Sequence, residues 1–402
     1  MTDREQTQAL IVDLGRGLHR YGASTARVED AMTQLAARLG IDGQFFVQPT
    51  ALFASFGRAG AETYLLRLQP AVTDLTKLAR LDTLLSALVH GDIDPQRGTS
   101  RLQEILEAKP GQWRRVVMLV GHGFAAAAAA RFVGGGWPEV GAALAIGPLV
   151  GLLAWRAECR DAMRRIQVPL SAIVASFVAV AMASTLGTLN PQIAMLAGLV
   201  LLLPGMMLTV ATNELATGHL ASGTARAAGA TMVFITMAFG VALGGRLAVM
   251  IFGPPAMLEP EPASIWSLVL ALLIAPLAMA ALFRAPSREI PFVVVGCVLA
   301  FCGGQLGARW LGAELGVFVG GLLAGLAANG YARWRNKPSA IVYVPAMLML
   351  VPGSIGFRSI TALLAEQVTS GIDAAFTTLL MTVALGTGML VAGVVIPPRR
   401  VL

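Results

Sequence analysis

The sequence predicts an all-α membrane protein of ten spans behind a small α+β domain. Three observations carry that prediction. Of 402 residues, 56% are hydrophobic and only 13% charged, with a mean hydropathy of +0.70; soluble chains carry about a quarter charged residues. Apolar runs long enough to cross a bilayer repeat from Val116 to the end of the chain. The bases between those runs collect on alternate connections, which is a topology signal. Forty-four glycines add the small residues that let helices approach closely in lipid.

Charge distribution separates two parts. Residues 1–112 hold 12 Lys/Arg and 13 Asp/Glu, whereas residues 113–402 hold 18 and 10. The net +7 therefore sits wholly with the apolar part. A nucleic-acid binder would carry its bases on a polar surface, so no nucleic-acid partner is expected. Cys159, Cys297 and Cys302 form no framework and read as small apolar fillers. No metal site and no cofactor are expected. The segment Met1 to Gln8 is polar and mixed in charge, unlike a signal peptide.

The front domain, residues 1–112, reads ααβββαα. Leu10, Ile11, Leu14, Leu18 and Tyr21 recur at helical spacing, as do Val28, Met32, Leu35, Ala36 and Leu39 after Ser24 or Thr25 as N-cap. Gly22 and Gly40 stop these helices. Strand-like runs follow at 44–47, 51–56 and 63–68, then helices at 75–89 and 94–108. Pro110-Gly111 separates this domain from the spans. It contains no HExxH, GxSxG, Walker or CxxC pattern, and His19 and His90 stand alone, so no enzyme is expected. Arg27 and Glu29 are two apart and do not share a helix face; together they form a candidate contact to the membrane part or to a ligand.

The spans are placed near 116–133, 138–155, 168–186, 191–212 and 227–252, then 265–283, 290–307, 311–331, 341–363 and 373–396. Five spans fill residues 113–253 and five fill 264–402. Arg114 and Arg115, Arg156 to Arg165, Arg226, Arg284 and Arg288, Arg333 to Lys337, and Arg399 and Arg400 fall on one side. By the positive-inside rule, that side, both termini and the front domain are cytoplasmic. An odd number of spans per half makes the second half enter inverted, as in many secondary transporters.

Leu203-Pro204-Gly205 in span four is echoed by Val351-Pro352-Gly353 in span nine. Proline removes a helical hydrogen bond and clashes with the preceding turn, and glycine admits non-helical backbone. Such irregular backbone is tolerated at membrane depth only against protein or water. Each second half-helix would present free N–H groups and a positive dipole end, suited to a carboxylate. Two matching breaks are therefore expected to face each other and form a site.

Several stretches resemble the threonine/serine exporter family, ten-span bacterial inner-membrane proteins with a cytoplasmic N-terminal domain. They include Gly22-Ala23-Ser24-Thr25-Ala26-Arg27-Val28-Glu29, Val47-Gln48-Pro49-Thr50, Leu203-Pro204-Gly205, Asn213-Glu214-Leu215 and Ser222-Gly223-Thr224-Ala225-Arg226. Further on come Ala328-Asn329-Gly330-Tyr331-Ala332-Arg333, Val344-Pro345 and Val351-Pro352-Gly353-Ser354. The resemblance implies an inner-membrane antiporter that exports small amino acids, L-threonine and L-serine, driven by protons. Related pairs are linked to dicarboxylate export, so a succinate-type substrate is the alternative. A membrane-tethered hydrolase is the rival from another class.

Within this reading, Pro204, Gly205, Thr209, Asn213, Pro352, Gly353, Ser354 and Arg358 are the candidate substrate-binding residues. Glu214 and Arg226 are an interfacial ion pair on one reading, and a proton-coupling or gating pair on the other. His122, in a Gly-His-Gly stretch of span one, reads first as a packing histidine. The spacings Gly303-Gly307, Gly312-Gly316-Gly320 and Gly321-Gly325 predict close packing of spans seven and eight, and would serve a homo-oligomer equally well.

Overall fold

A computed structural model describes residues 3–57, 62–68, 72–109, 111–256, 259–261, 263–350, 353–364 and 367–398. The front domain runs α1 (Asp3–Arg20), α2 (Thr25–Arg38), β1 (Gly43–Gln48), β2 (Ala51–Phe56), β3 (Thr63–Arg67), α3 (Leu75–His90) and α4 (Pro95–Glu107). The strands form one antiparallel sheet in the order β1-β2-β3, with Val47 opposite Leu52. Period-2 alternation turns Leu52, Ala54 and Phe56 inward. There they meet Leu14, Leu18, Met32, Leu35, Leu81 and Leu85 from the helices. Gly22 adopts φ +105°, a left-handed value that stops α1 at small steric cost. Asp74 caps α3 by accepting from Lys77 N at 3.0 Å, and Asp94 caps α4 by accepting from Arg97 N at 2.7 Å.

The membrane part continues with α5 (Arg114–Phe132), α6 (Trp137–Cys159), α7 (Asp161–Leu186), α8 (Pro191–Gly198), α9 (Gly205–Ala216) and α10 (Leu220–Phe252). Then come α11 (Ile265–Leu282), α12 (Ile290–Leu311), α13 (Ala313–Arg335), α14 (Ala340–Leu348), α15 (Gly353–Leu364) and α16 (Val368–Val395). With α14 and α15 taken together, nine helices among the described residues are long and apolar enough to cross a membrane. Counting the bent α8–α9 pair as one span makes ten. Large apolar side chains face outward where a soluble fold would hide them: Met250 is 82% exposed, Trp310 81% and Trp266 76%. An outward apolar belt of that kind is what hydrocarbon solvates.

Between helices, glycine sets the spacing. A Cβ on Gly307 of α12 would stand 2.8 Å from the Gly316 carbonyl of α13, and one on Gly320 would stand 2.9 Å from that of Ala300. Side chains there would force the backbones apart. Gly321 and Gly325 face α16 instead, at Leu385 and Ala392, so this part of the glycine pattern joins spans eight and ten rather than seven and eight. His122 is buried, with Nδ1 2.7 Å from the Met118 carbonyl of its own helix and its ring against Gly151.

The front domain is bolted to one end of the bundle. Arg284 Nη1 donates to Asp74 Oδ2 at 2.6 Å, Thr76 Oγ1 to the Arg284 carbonyl at 2.5 Å, and Leu75 N to the Phe283 carbonyl at 2.9 Å. Ser222 Oγ at the start of α10 reaches the Val47 carbonyl of β1 at 3.4 Å.

Candidate functional site

Span four is broken where the sequence places Pro204. A 3-10 turn at Val200–Leu202 leads to Leu203 in extended conformation, and Pro204 stands at the N-cap of α9. The two halves bend by 50°. Proline has no N–H to continue the ladder, so the interruption is built into the chain. Span nine ends its first half at Leu348 and resumes at Gly353, while Pro352 lies outside the described residues. The two restarts touch: a Cβ on Gly353 would lie 3.1 Å from Leu203 Cβ and 3.6 Å from Gly205 Cα. Glycine at both restarts is what permits backbone to meet backbone.

From these breaks, α9 and α14 lead toward the front domain and enclose with it a cavity of about 540 Å³. Thr209, Asn213 and Glu214 of α9 and Tyr343 of α14 line one side, and His19, Ser24 and Arg27 line the other. A smaller cavity of about 120 Å³ lies against the breaks themselves, lined by Leu203, Gly353, Ser354 and apolar residues of α5, α8 and α11.

Glu214 is 4% exposed and fully engaged. Arg226 Nε donates to its Oε1 at 3.1 Å and Oε2 at 2.9 Å, and Thr25 Oγ1 of the front domain donates to Oε1 at 2.9 Å. The pair the sequence suggested is therefore formed, lies buried rather than at a solvated edge, and is shared with the front domain. Ser24 takes the N-cap position of α2 with no side-chain cap bond, while the Thr25 hydroxyl crosses to the membrane part. Removing one partner of such a pair strands a buried charge, at a cost of about 3–5 kcal/mol.

The remaining sequence candidates divide. The Thr209 hydroxyl donates to the Gly205 carbonyl at 3.1 Å and so first serves its own helix. Asn213 Oδ1 is buried and has no partner among the described residues. Ser354 borders the smaller cavity. Arg358 is exposed on α15 and lines neither cavity, apart from the other site residues. Arg27 and Glu29 part company, as their spacing requires. Glu29 Oε1 accepts from Val47 N at 2.7 Å and ties α2 to β1, whereas Arg27 lines the cavity. Burial pushes the Glu29 carboxyl up and the Val47 hydrogen bond opposes that shift. Burial also pushes the Arg27 guanidinium down, opposed by Tyr343, Asp82 and Asp30.

Two cavity residues were not among the site residues chosen from the sequence. His19 is 3% exposed with its Nδ1 unpartnered among the described residues, and burial followed by the Arg226 charge lowers its pKa to about 4. It is therefore a neutral imidazole at ordinary pH. Tyr343 donates to Met389 Sδ at 3.2 Å. A lone histidine on α1 and a tyrosine in an apolar run give no local pattern; only folding brings them together.

A bundle of nine or ten apolar helices able to cross a membrane, with the starts of α9 and α15 in contact near a cavity that polar groups help to line, is the build of a membrane protein with an internal site. Two profiles described as threonine/serine exporter match the chain, one over residues 9–248 and the other over 268–395. The chain belongs to the threonine/serine exporter family. Among curated proteins it is similar to the pheromone-regulated membrane protein 10 of Pichia sorbitophila, 26% identical over 89% of this chain and 37% of the relative. The protein of that name from Zygosaccharomyces rouxii is 27% identical over 93% and 40%. An uncharacterized Schizosaccharomyces pombe protein is 24% identical over 93% and 50%. The chain thus spans about two fifths to half of the length of these relatives. No solved structure matches.

Proposed function

We propose that the protein is a secondary active exporter of small amino acids, L-threonine and L-serine, working by alternating access around the two broken spans and driven by the proton motive force. The observation that carries this reading is the contact of the helix starts at Gly205 and Gly353, with the larger cavity opening along α9 from Met206 and Thr209 onward. Free N–H groups at the start of α9 and α15 would hold a carboxylate there. The inverted-repeat arrangement is supported by matched packing: α7 packs on α10 as α13 does on α16, α6 on α8 as α12 on α14, and α9 on α16 as α15 on α10.

Glu214 is the proposed proton-coupling group. Protonation would remove its charge, loosen Arg226 and, through Thr25, weaken the front domain's hold on the cavity. The bases beside the front domain support cytoplasmic termini and an inner-membrane location. The alternative, a dicarboxylate, would require two free cations. Arg226 is already engaged by Glu214 and Arg358 stands apart, which favours a substrate with a single carboxylate.

Uptake of labelled L-threonine by proteoliposomes, with and without a pH gradient, tests the reading. Gradient-driven flux blocked by serine but not by succinate is expected. A Glu214→Gln variant with unchanged gradient dependence would remove that residue from coupling, and competition by succinate alone would replace the substrate class.

A further inference from the structure

The front domain's share of the cavity wall is chemical as well as steric. Two arginines, Arg27 and Arg226, and one carboxylate, Glu214, line the cavity. Glu214 and Arg226 neutralise each other. Arg27 makes no hydrogen bond or ion pair among the described residues; the Asp82 and Asp30 carboxylates act on it through space, but burial outweighs them. Arg27 sits in the first turn of the 14-residue α2, whose unpaired N–H groups add positive potential in the same place.

Two further atoms mark the cavity as a ligand site. His19 Nδ1 and Asn213 Oδ1 are both buried, both unpartnered among the described residues, and both belong to residues lining this cavity, one from each side. Buried polar atoms are seldom left so. Asn213 offers an acceptor with no charge, suited to an ammonium group. The neutral His19 ring offers one further donor or acceptor. The cavity volume lies in the usual ligand range of about 300–1,000 Å³. A guanidinium for a carboxylate and an amide oxygen for an ammonium describe a zwitterion.

We infer that the cavity at the domain junction binds a small α-amino acid, its carboxylate on Arg27 and its ammonium on Asn213, so that the front domain is part of the substrate site. This rests on the transport reading but places the first binding step outside the breaks. Binding there would bridge α2 and α9, and so hold the front domain against the bundle while the cavity is loaded.

The test uses the full chain in nanodiscs and equilibrium binding of labelled L-threonine, with L-threoninamide, which lacks the carboxylate charge, as the second probe. Losing a charged hydrogen bond of about 1.5–3 kcal/mol corresponds to about 10–100-fold in affinity. Arg27→Gln should weaken L-threonine by that factor and leave L-threoninamide unchanged, and Arg27→Lys should recover part of the loss. Equal binding of L-threonine by wild type and Arg27→Gln, or an equal loss of both probes, would overturn the inference. So would a wild type that binds succinate in place of L-threonine, or neither. Flux measured in parallel separates the two readings: intact flux with Arg27-independent binding sinks this inference alone, and Arg27-dependent binding without flux sinks the transport reading alone.

Discussion

Lowering the pH should loosen the front domain through His19. In solution this imidazole titrates near 6.5, and in its buried place near 4. A base whose pKa falls on docking binds more protons when undocked, so stability rises with pH. The contribution is fully present above the solution value, is lost as pH falls through 6.5, and is lost completely below about 4. Between about pH 7.5 and about pH 5 the linkage relation gives a loss of about 2 kcal/mol, or roughly 30-fold in the opening equilibrium. Arg226 adds to the effect by repelling the imidazolium, while burial of the Asp13 and Glu29 carboxyls raises their pKa and acts in the opposite direction. Comparison with a His19→Asn variant cancels those opposing terms. The assay is hydrogen exchange of α1 and α2 amides in wild type and variant, each pair at one pH so that intrinsic rates cancel. Wild-type exchange should accelerate about 30-fold relative to the variant across this range. Parallel curves for the two proteins would refute the buried, neutral histidine.

Three other perturbations test separate joints. Gly316→Ala would drive a Cβ into the Ala308 backbone of α12, so a loss of about 1–3 kcal/mol is expected by thermal unfolding, against no change for Gly386→Ala, which meets nothing within 4 Å. Asp74→Asn keeps an oxygen to cap α3 but removes the charge facing Arg284, so the junction should open to proteolysis near residues 109–113 while α3 stays intact by hydrogen exchange. Glu214→Ala strands Arg226 and should cost about 3–5 kcal/mol in unfolding, and the double variant with Arg226→Met should recover part of that loss; a purely additive double variant would dismiss the pair.

The elements were legible because each is written locally. The strands are short runs rich in β-branched, aromatic and aliphatic residues, of which β2 alternates cleanly, the spans are long apolar runs, and Pro204 announces its own break through the missing N–H. Even the separation of Arg27 from Glu29 follows from helical spacing, since residues two apart lie on different faces. What local pattern could not supply was the meeting of distant groups. Thr25 bonds Glu214 across 189 residues, and Arg284 bonds Asp74 across 210. Nothing in the neighbourhood of either partner encodes the other. The polar candidates were chosen by residue type and depth, and type alone cannot say whether a threonine hydroxyl turns into its own helix, as that of Thr209 does. The Gly321-Gly325 spacing named a close-packed face correctly but not the helix it meets, because a small-residue stripe specifies distance and not partner.

The bases beside the front domain form two populations, and the difference bears on how the domain is held. Arg226, Arg284 and Arg335 reach buried carboxylates, at Glu214, Asp74 and Glu289, and Arg114 reaches Glu158. Arg156, Arg160, Arg164, Arg165 and Arg288 are exposed. Exposed bases contribute little to packing, since a surface charge gains about 0–1 kcal/mol from any one partner and is screened by salt. They remain free to act on orientation, which responds to the number of Lys and Arg and hardly to acidic neighbours. The buried pairs are insulated from salt and fix geometry instead. Two of them, Glu214–Arg226 with Thr25 and Asp74–Arg284, join the front domain to the span-four and span-six ends of opposite halves. On the alternating-access reading proposed above, a domain tied to both halves would strain or release one tie as they move against each other. Raising salt should therefore leave docking intact, whereas neutralising Glu214 should release one tie and spare the other.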